Sequence, residues 1–372
     1  MQYLYNIAEP GLIIIGPNDV IDYDSVYAFD LDSTLIKPKS GKKHPINAAD
    51  WMWFSPEIPI ILRKLSKEYG LVIFTNQAGI DGKRLTMEEI NQKLNSIFKD
   101  LGFGILTFIS TGYNKWRKPS PFMWEYFVEN FAPGILSSKS TFIGDAAGRI
   151  TDFSADDYKF ALNCNLSFTT PEEFWLKLPH ENPMNSFFKG YEEFKKIQCI
   201  AEEFNNYFKN NNFSSPNMIL MCGPPGCGKS TIAKKYFPNH IYINQDTISN
   251  GKAGTKAKCL SLVKLSILSR KNVIIDKTFP DLQTRKELID IAVAANVQVI
   301  CIWINMSINI AKHLNNLRCI LGGVKVPDIT YAVFQKKFKR PDISEKINEI
   351  ICVENISIDD EIMPIEIKKL VF

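Results

Sequence analysis

The sequence lacks the features that mark membrane, secreted and disulfide-rich proteins. None of its apolar runs approaches the roughly 20 residues of a membrane-spanning helix. The N-terminus does not combine a basic start with an apolar stretch, so we expect no secretory signal. The eight cysteines include no Cys-x-x-Cys pair, which favours a reduced chain over a disulfide framework or a zinc site. We therefore expect an intracellular protein.

Internal repeats and low-complexity tracts are lacking as well, and the length indicates two domains. A chain of 372 residues with 45% hydrophobic and 23% charged residues is typical of a soluble two-domain protein. The polar run at residues 210–216 separates two different α/β patterns. We expect domains at residues 1–180 and 216–372, joined by a segment at 181–215 that contains an amphipathic helix near residues 191–208.

The net charge of +4 is distributed unequally along the chain. Residues 1–214 contain 22 Lys/Arg and 26 Asp/Glu, a net charge of −4, whereas residues 215–372 contain 22 and 14, a net charge of +8. A basic C-terminal half fits a polyanionic partner such as nucleic acid. The charge alone is equally compatible with an ordinary lysine-rich surface.

Polar residues follow three apolar runs that predict buried strands in the first half. The runs are residues 26–29, 71–74 and 140–143, and the polar residues after them are Asp30, Thr75, Asn76 and Asp145. In open α/β sheets the ligand crevice lies beyond the carboxyl ends of the strands. The second half repeats the α/β pattern, so the sequence predicts two doubly wound α/β domains.

The segment from Asp30 to Thr34 is an Asp-x-Asp-x-Thr signature, which is typical of phosphatases with an aspartate nucleophile. Asp30 could attack phosphorus, while Asp32 could protonate the leaving oxygen and later activate water. Thr75 and Asn76 could hydrogen-bond the phosphate oxygens, and Lys118 could neutralise developing charge. Taken alone, the signature could equally be a turn or a helix cap.

Several carboxylates around a phosphate would repel it, so such a site requires a cation. Mg²⁺ is the natural choice for a site in which every ligand is oxygen. We expect Asp30, Asp32 and Asp145 to serve as its ligands.

A complete P-loop occupies residues 223–230, between a predicted strand and a predicted helix, which is the context that supports nucleotide binding. Its backbone N–H groups would hold the phosphates of ATP. Lys229 would reach the β- and γ-phosphates, and Ser230 would help to hold Mg²⁺. The residues expected to bind the nucleotide are Gly223, Gly226, Gly228, Lys229, Ser230 and Thr231.

Three further residues suit a kinase rather than an ATPase. Asp246 follows a predicted strand and could accept the proton of an attacking hydroxyl. Asp276 ends another strand and could position a metal or water. Arg318 lies on a predicted helix where small P-loop kinases place lid arginines. A turn aspartate and an exposed arginine without a role are the alternatives.

Stretches along nearly the whole chain resemble the bifunctional polynucleotide kinase 3′-phosphatase family. In the first half they are residues 29–36, 40–42, 50–51, 56–59, 72–80, 116–119, 144–149, 152–156 and 160–163. In the second half they are residues 223–231, 245–247, 275–278, 315–318, 326–328 and Phe338.

The resemblance implies a haloacid dehalogenase-like phosphatase followed by a P-loop kinase, using Mg²⁺ and ATP. It implies Asp30 as nucleophile, Asp32 as acid/base, Asp145 as metal ligand and Asp246 as kinase base. The implied substrates are DNA ends or RNA ends, and the implied recipient of the product is a ligase. We expect a monomer without membrane contact, in the nucleus of a eukaryotic cell or in the cytoplasm for a viral or prokaryotic source.

Three departures from the family pattern stand out. No forkhead-associated domain fits before Asp30, so recruitment through one should be absent. Gln245 replaces the usual arginine before the kinase aspartate, which removes a positive contact near the substrate. Ser33 replaces a glycine, and it should be tolerated if its φ is not positive.

Three alternatives to DNA-end repair remain open from the sequence. They are an RNA-end healing enzyme, an inactive nucleic-acid scaffold, and a small-molecule phosphatase fused to a nucleoside kinase. The intact Asp30, Asp32, Lys229 and Asp246 argue against a scaffold, and the basic C-terminal half argues against the small-molecule enzyme.

Overall fold

Two mainly parallel β-sheets organise the structure, a computed structural model that describes residues 3–181, 189–197, 216–354 and 363–372. The first unit comprises Met1–Phe188 with Cys319–Gly323 and Glu366–Phe372, and the second comprises Lys189–Arg318 with Val324–Ile365. Parts of the predicted connecting helix and polar run, at 198–215, lie outside the described residues. Domain boundaries at residues 180 and 215 stay a prediction.

The first unit contains a seven-stranded sheet in the order β1-β2-β7-β6-β3-β8-β9. Strands β1 and β2 are antiparallel additions at one edge, and the pairs from β7 to β9 are parallel. A two-stranded ribbon pairs β4 with β5. The strands are β1 Tyr5–Glu9, β2 Leu12–Ile15, β3 Val26–Phe29, β4 Ile36–Lys37, β5 Met52–Trp53, β6 Gly70–Asn76, β7 Leu106–Ser110, β8 Thr141–Ile143 and β9 Ser167–Thr169.

The second unit contains a five-stranded parallel sheet in the order β11-β12-β10-β13-β14. Its strands are β10 Asn217–Cys222, β11 Ile241–Ile243, β12 Val273–Asp276, β13 Gln298–Ile304 and β14 Glu349–Val353. The described helices of the chain are α1 Ile58–Leu65, α2 Met87–Leu101, α3 Phe122–Phe131, α4 Asp156–Asn163, α5 Pro171–Leu176, α6 Lys189–Ile197, α7 Lys229–Tyr236, α8 Lys256–Leu268, α9 Leu282–Ala294, α10 Ile308–Ile320, α11 Asp328–Lys337 and α12 Ile365–Lys368.

Both faces of each sheet are buried, which explains why the central strands are apolar at nearly every position. Successive residues of a strand point to opposite faces, so β6 contributes Val72 and Phe74 to one apolar cluster and Leu71 and Ile73 to another. Strand β10 is divided in the same way between two clusters of the second unit. The predicted two doubly wound α/β folds are confirmed.

Strand β6 carries two polar residues at its carboxyl end. Strand β6 is longer than predicted, because Thr75 and Asn76 still pair with β7. Helix α2 begins with a capping box between Thr86 and Glu89 and ends at Gly102, whose φ is +92°. None of the described helices combines the length and the apolar character needed to cross a membrane.

Candidate active sites

The first site lies at the carboxyl edge of the seven-stranded sheet. Strand β3 pairs with β8, and the N–H of Asp30 donates to the carbonyl of Ile143 at 2.8 Å. Strand β6 lies on the other side of β3, so its end reaches the same edge. A cavity of about 420 Å³ opens there, and the sequence-predicted residues that line it are Asp30, Asp32, Thr75, Asn76, Lys118 and Asp145.

Three carboxylates lie close together in this cavity, and two of them pair with one lysine. Asp30, Asp145 and Asp157 each offer an oxygen atom, and these atoms lie within 4.8 Å of one another. Lys118 Nζ lies 2.6 Å from Asp30 Oδ1 and 2.7 Å from Asp157 Oδ1. One ammonium group leaves two negative charges uncompensated when all three carboxyls are ionised. An all-carboxylate group with surplus negative charge is a donor set that fits Mg²⁺.

Burial and mutual repulsion alter the protonation of the cluster. Burial raises the pKa of Asp30 to about 7, against the opposing charge of Lys118. Burial and the nearby Asp30 raise the pKa of Asp145 to about 9. Burial alone would lower the pKa of Lys118, but Asp157 and Asp30 outweigh it and raise that pKa. A divalent cation entering the cluster would therefore displace protons.

Asp157 is a member of the cluster that sequence reasoning missed. It lies in the first turn of α4, and its Oδ2 accepts a hydrogen bond from the N–H of Ala146 at 3.1 Å. A Cβ atom at Gly144 would lie 2.4 Å from the same Oδ2, so this approach requires glycine. The sequence did offer a signal, because Asp157 directly follows Asp156, the last residue of the family-like stretch 152–156.

Asp32 is held apart from the three-carboxylate cluster by two other side chains. Gln77 Nε2 donates to Asp32 Oδ2 at 2.7 Å, and Lys93 Nζ donates to Asp32 Oδ1 at 3.5 Å. The role of Asp32 as a metal ligand stays a prediction. Lys93 was detectable in the sequence, because it occupies a position on the apolar face of α2.

Thr75 and Asn76 make specific contacts at the end of β6. Thr75 Oγ1 accepts a hydrogen bond from Gln77 Nε2 at 3.1 Å. The side chain of Asn76 accepts from the N–H of Lys118 at 3.0 Å and donates to its carbonyl at 3.1 Å. Asn76 thus fixes the backbone from which Lys118 reaches the cluster, and direct phosphate contacts by Thr75 and Asn76 stay a prediction.

Serine at position 33 is expected to be tolerated if its φ angle is not positive, and the structure does not meet this condition. Its φ is +65°, in the left-handed region, which costs an ordinary residue about 1–2 kcal/mol. The turn is held by the N–H of Ser33, which donates to the carbonyl of Ile36 at 2.7 Å. The chain therefore tolerates serine in a backbone conformation that favours glycine.

The second site is the P-loop between β10 and α7. Gly226 and Gly228 have φ values of +76° and +88°, and Gly223 has +149°. A Cβ atom at Gly226 would lie 3.0 Å from the carbonyl oxygen of Ala311, so a side chain here would require its neighbours to shift as well as a strained backbone. Lys229 is buried, and its Nζ donates to the carbonyls of Gly223 and Pro224 at 3.1 and 2.6 Å.

A buried carboxylate lies beside the P-loop serine. Asp276 Oδ2 accepts from Ser230 Oγ at 2.5 Å, from the hydroxyl of Tyr242 at 2.5 Å and from Asn244 Nδ2 at 3.0 Å. The parallel register of β10 and β12 pairs Met221 with Asp276, which brings that carboxylate to the loop. A hydroxyl and a carboxylate at this place form a donor set that fits Mg²⁺ bound to a nucleotide.

The other predicted kinase residues are Asp246, Arg318 and Thr231, and the contacts of each are local. The N–H of Asp246 donates to Asn244 Oδ1 at 2.8 Å, which links Asp246 through Asn244 to Asp276. Arg318, on α10, is exposed and donates through Nη2 to Asn315 Oδ1 at 2.8 Å and to the carbonyl of Val324 at 2.7 Å. Thr231 is exposed in the first turn of α7. Their functional roles stay predictions.

Gln245, which precedes the expected base Asp246, contacts the loop that follows. Its Nε2 donates to the carbonyl of Gly254 at 3.2 Å, and the N–H of Gly254 donates back to the carbonyl of Gln245 at 2.8 Å. This pair closes the loop that follows Asp246. The side chain at this position therefore holds a loop beside the expected base.

Comparison with known proteins matches both units to described families. Residues 25–175 match the model of the polynucleotide kinase 3 phosphatase family, and residues 218–341 match an AAA domain model. The chain is 33% identical over 330 residues to a bifunctional polynucleotide phosphatase/kinase of Schizosaccharomyces pombe, covering 87% of this chain and 78% of that protein.

Two further relatives match most or part of the chain. A putative bifunctional polynucleotide phosphatase/kinase of Acanthamoeba polyphaga mimivirus is 32% identical over 363 residues, covering 87% of this chain and 83% of the relative. The polynucleotide 3′-phosphatase ZDP of Arabidopsis thaliana is 34% identical over 172 residues, covering 42% of this chain and 24% of the relative. With its phosphatase and kinase domains in this order, the chain is an enzyme that belongs to the bifunctional polynucleotide phosphatase/kinase family.

Proposed function

We propose that the chain removes 3′-phosphate from DNA ends and phosphorylates 5′-hydroxyl ends, so that a ligase can join them. The observation that carries this proposal is the presence of two different phosphate sites on one chain. One combines Asp30, Asp145 and Asp157 with Lys118, and the other combines a P-loop with Asp276. Because the proposed substrates are DNA ends, we expect the enzyme in the nucleus if its source is a eukaryotic cell and in the cytoplasm if its source is viral or prokaryotic.

The phosphatase reaction runs through two displacements at phosphorus. An oxygen of Asp30 attacks phosphorus, the bond to the 3′ oxygen breaks, and that oxygen takes a proton from the carboxyl group of Asp32. In the second step Asp32 accepts a proton from water as the water oxygen attacks the phosphorus of the aspartyl-phosphate. Phosphate leaves, and the carboxylate of Asp30 is restored. Lys118 stabilises the negative charge around phosphorus in both steps.

Asp30, Asp145 and Asp157 would hold Mg²⁺ in the phosphatase unit. When bound, the ion supplies positive charge that offsets repulsion between these carboxylates and the phosphate. Lys118 keeps the carboxylates of Asp30 and Asp157 oriented, and Asn76 keeps Lys118 in place.

In the kinase reaction, the P-loop binds the phosphates of ATP, and Ser230 with Asp276 would hold the accompanying Mg²⁺. The oxygen of the 5′-hydroxyl attacks the γ-phosphorus while Asp246 accepts the proton of that hydroxyl, and ADP leaves. Lys229, whose Nζ donates to the loop carbonyls of Gly223 and Pro224, contacts the transferring phosphate. Arg318 adds positive charge from α10.

An end-labelled assay on three substrate classes tests the proposal. The enzyme should release phosphate from a 3′-phosphorylated DNA oligonucleotide and transfer phosphate from ATP to a 5′-hydroxyl one. Turnover on RNA ends above that on DNA would favour RNA-end healing. Turnover confined to mononucleotides would overturn the polynucleotide assignment.

Mg²⁺ should stabilise the phosphatase unit in a manner that depends on Asp145. Because the pKa of Asp145 is raised to about 9 in the fold, the metal-free folded state holds an extra proton relative to the unfolded chain. Metal-free stability should therefore fall as the pH rises from about 4 towards 9. Asp145→Asn should flatten this fall and remove the Mg²⁺-induced rise in Tm, as measured by thermal unfolding in EDTA and in Mg²⁺.

The wild-type protein should gain roughly 2–3 kcal/mol of stability at Mg²⁺ concentrations near a hundred times the Kd. Asp19→Asn, which changes an exposed carboxylate of the same unit, serves as the control and should behave as wild type. Identical pH slopes and Mg²⁺ responses for wild type and Asp145→Asn would contradict the assignment of the metal site.

The two activities should differ in their response to salt. The net charge of +8 on residues 215–372 suggests that the kinase contacts several phosphates of the strand, whereas −4 on residues 1–214 suggests few such contacts. Each neutralised phosphate contributes a slope of about −0.7 to the logarithmic dependence of single-strand affinity on salt. The KM of the kinase for an oligonucleotide should rise steeply with NaCl and that of the phosphatase little. If the KM values of both activities depended equally on salt, the difference in net charge between the two halves would not reflect contacts with the strand.

A further inference from the structure

Both carboxylate oxygens of Asp32 are occupied by donors from different parts of the first unit. Gln77 follows β6 and donates to Oδ2 at 2.7 Å, and Lys93 lies in the middle of α2 and donates to Oδ1 at 3.5 Å. The side chain of Asp32 is itself 44% exposed, at the boundary of two cavities. A half-exposed aspartate with two donors has far less rotational freedom than one without them.

Gln77 is itself fixed. It is buried, its backbone N–H donates to the carbonyl of Ser110 at 2.8 Å, and its Nε2 also donates to Thr75 Oγ1 at 3.1 Å. One amide group therefore orients Asp32 and Thr75 together.

Burial of the Lys93 side chain is energetically unfavourable, so we infer that the residue has a function. Its side chain is 4% exposed, on the face of α2 that also carries Ile90, Leu94 and Ile97. A buried ammonium group costs several kcal/mol unless it is paired. Among the described residues, its ion pair is with Asp32. The capping box at Thr86 anchors the helix that carries it.

We propose that Gln77 and Lys93 are positioning residues that hold Asp32 in the orientation from which its protonated form donates a proton to the leaving 3′ oxygen. The inference rests on the proposed phosphatase function. Proton transfer to an alkoxide leaving group requires the acid within hydrogen-bond reach, and small misplacements of a reacting group are costly. An aryl phosphate whose phenolate leaves without a proton does not require this alignment.

The test compares two substrates with different leaving groups in the Lys93→Met and Gln77→Met variants. Single-turnover rates at saturating enzyme are measured on a 3′-phosphorylated oligonucleotide, together with its Kd. For p-nitrophenyl phosphate, kcat/KM is measured, which reports phosphoryl transfer to Asp30 and not the later hydrolysis. The oligonucleotide rate should fall about 10- to 100-fold in each variant. The kcat/KM for the aryl phosphate should change by less than about threefold in Lys93→Met, and should fall less than the oligonucleotide rate in Gln77→Met, whose amide also contacts Thr75.

Two matched variants control for loss of structure and of charge. Lys99→Met removes an exposed lysine of the same helix and should leave both substrates unaffected. Lys93→Arg keeps a donor at the site and should recover part of the oligonucleotide rate. Thermal unfolding of every variant identifies any that fail to fold. If Lys93→Met does not fold, the comparison is made with Gln77→Met.

Each other outcome overturns the inference in a distinct way. Equal losses on both substrates would show that Lys93 and Gln77 only support the fold. A weaker Kd with an unchanged saturating rate would make them strand-binding residues. Wild-type enzyme that hydrolyses the aryl phosphate but not the oligonucleotide would instead overturn the proposed function, and the inference with it.

Discussion

Replacing Asp30 with asparagine should abolish the release of 3′-phosphate and leave 5′-phosphorylation nearly unchanged. The substitution keeps the shape of the side chain but removes the attacking carboxylate, and loss of a catalytic nucleophile commonly costs about 10⁴-fold or more. The fold should survive, because the change removes one of three crowded carboxylates beside Lys118. Both activities are measured on end-labelled oligonucleotides with the same protein preparation.

Asp19→Asn is the matched control for this experiment, since it removes an exposed carboxylate of the same unit. It should retain both activities. Phosphate release by the Asp30→Asn variant at a rate near that of wild type would show that another group attacks phosphorus.

The reciprocal loss is expected from Lys229→Ala. This lysine is the buried cation of the P-loop, and without it the charge on the transferring phosphate loses its main protein partner. The rate of 5′-phosphorylation should fall about 10²- to 10³-fold, as is common when one transition-state contact is removed. Release of 3′-phosphate should continue at the wild-type rate. The assay uses labelled ATP and a 5′-hydroxyl oligonucleotide.

Lys235→Ala, an exposed change on the same helix, controls for helix stability and should remain close to wild type. A Lys229→Ala enzyme with normal kinase activity would remove the P-loop from the proposed mechanism. Loss of both activities in this variant would indicate that the change unfolds the protein rather than disabling one site.

Residues that end apolar strands could be predicted from the sequence, because strand position is encoded locally. The run at Val26–Phe29 is a strand in the structure, and the residue after it, Asp30, lies at the carboxyl edge. The P-loop context is likewise confirmed, since Asn217–Cys222 is a strand and Lys229–Tyr236 a helix. In both cases the apolar run and the motif are adjacent in sequence.

The contacts that complete each site could not be predicted in this way, because they depend on how separate segments pack. Asp157 reaches Lys118 from the first turn of a helix, so a search for carboxylates after strands does not find it. The pairing of Lys93 with Asp32 joins residues 61 positions apart. The positive φ of Ser33 could not be predicted either, because serine has no preference for the left-handed backbone conformation.

The central claim is that one chain repairs both ends of a break at two separate sites. The most direct measurement treats a nicked duplex, carrying 3′-phosphate and 5′-hydroxyl ends, with the enzyme, Mg²⁺ and ATP, and then adds a DNA ligase. Wild type should permit sealing, Asp30→Asn and Lys229→Ala should each fail, and an equal mixture of the two variants should restore it. Sealing by either variant alone, or no sealing after wild-type treatment, would contradict the account.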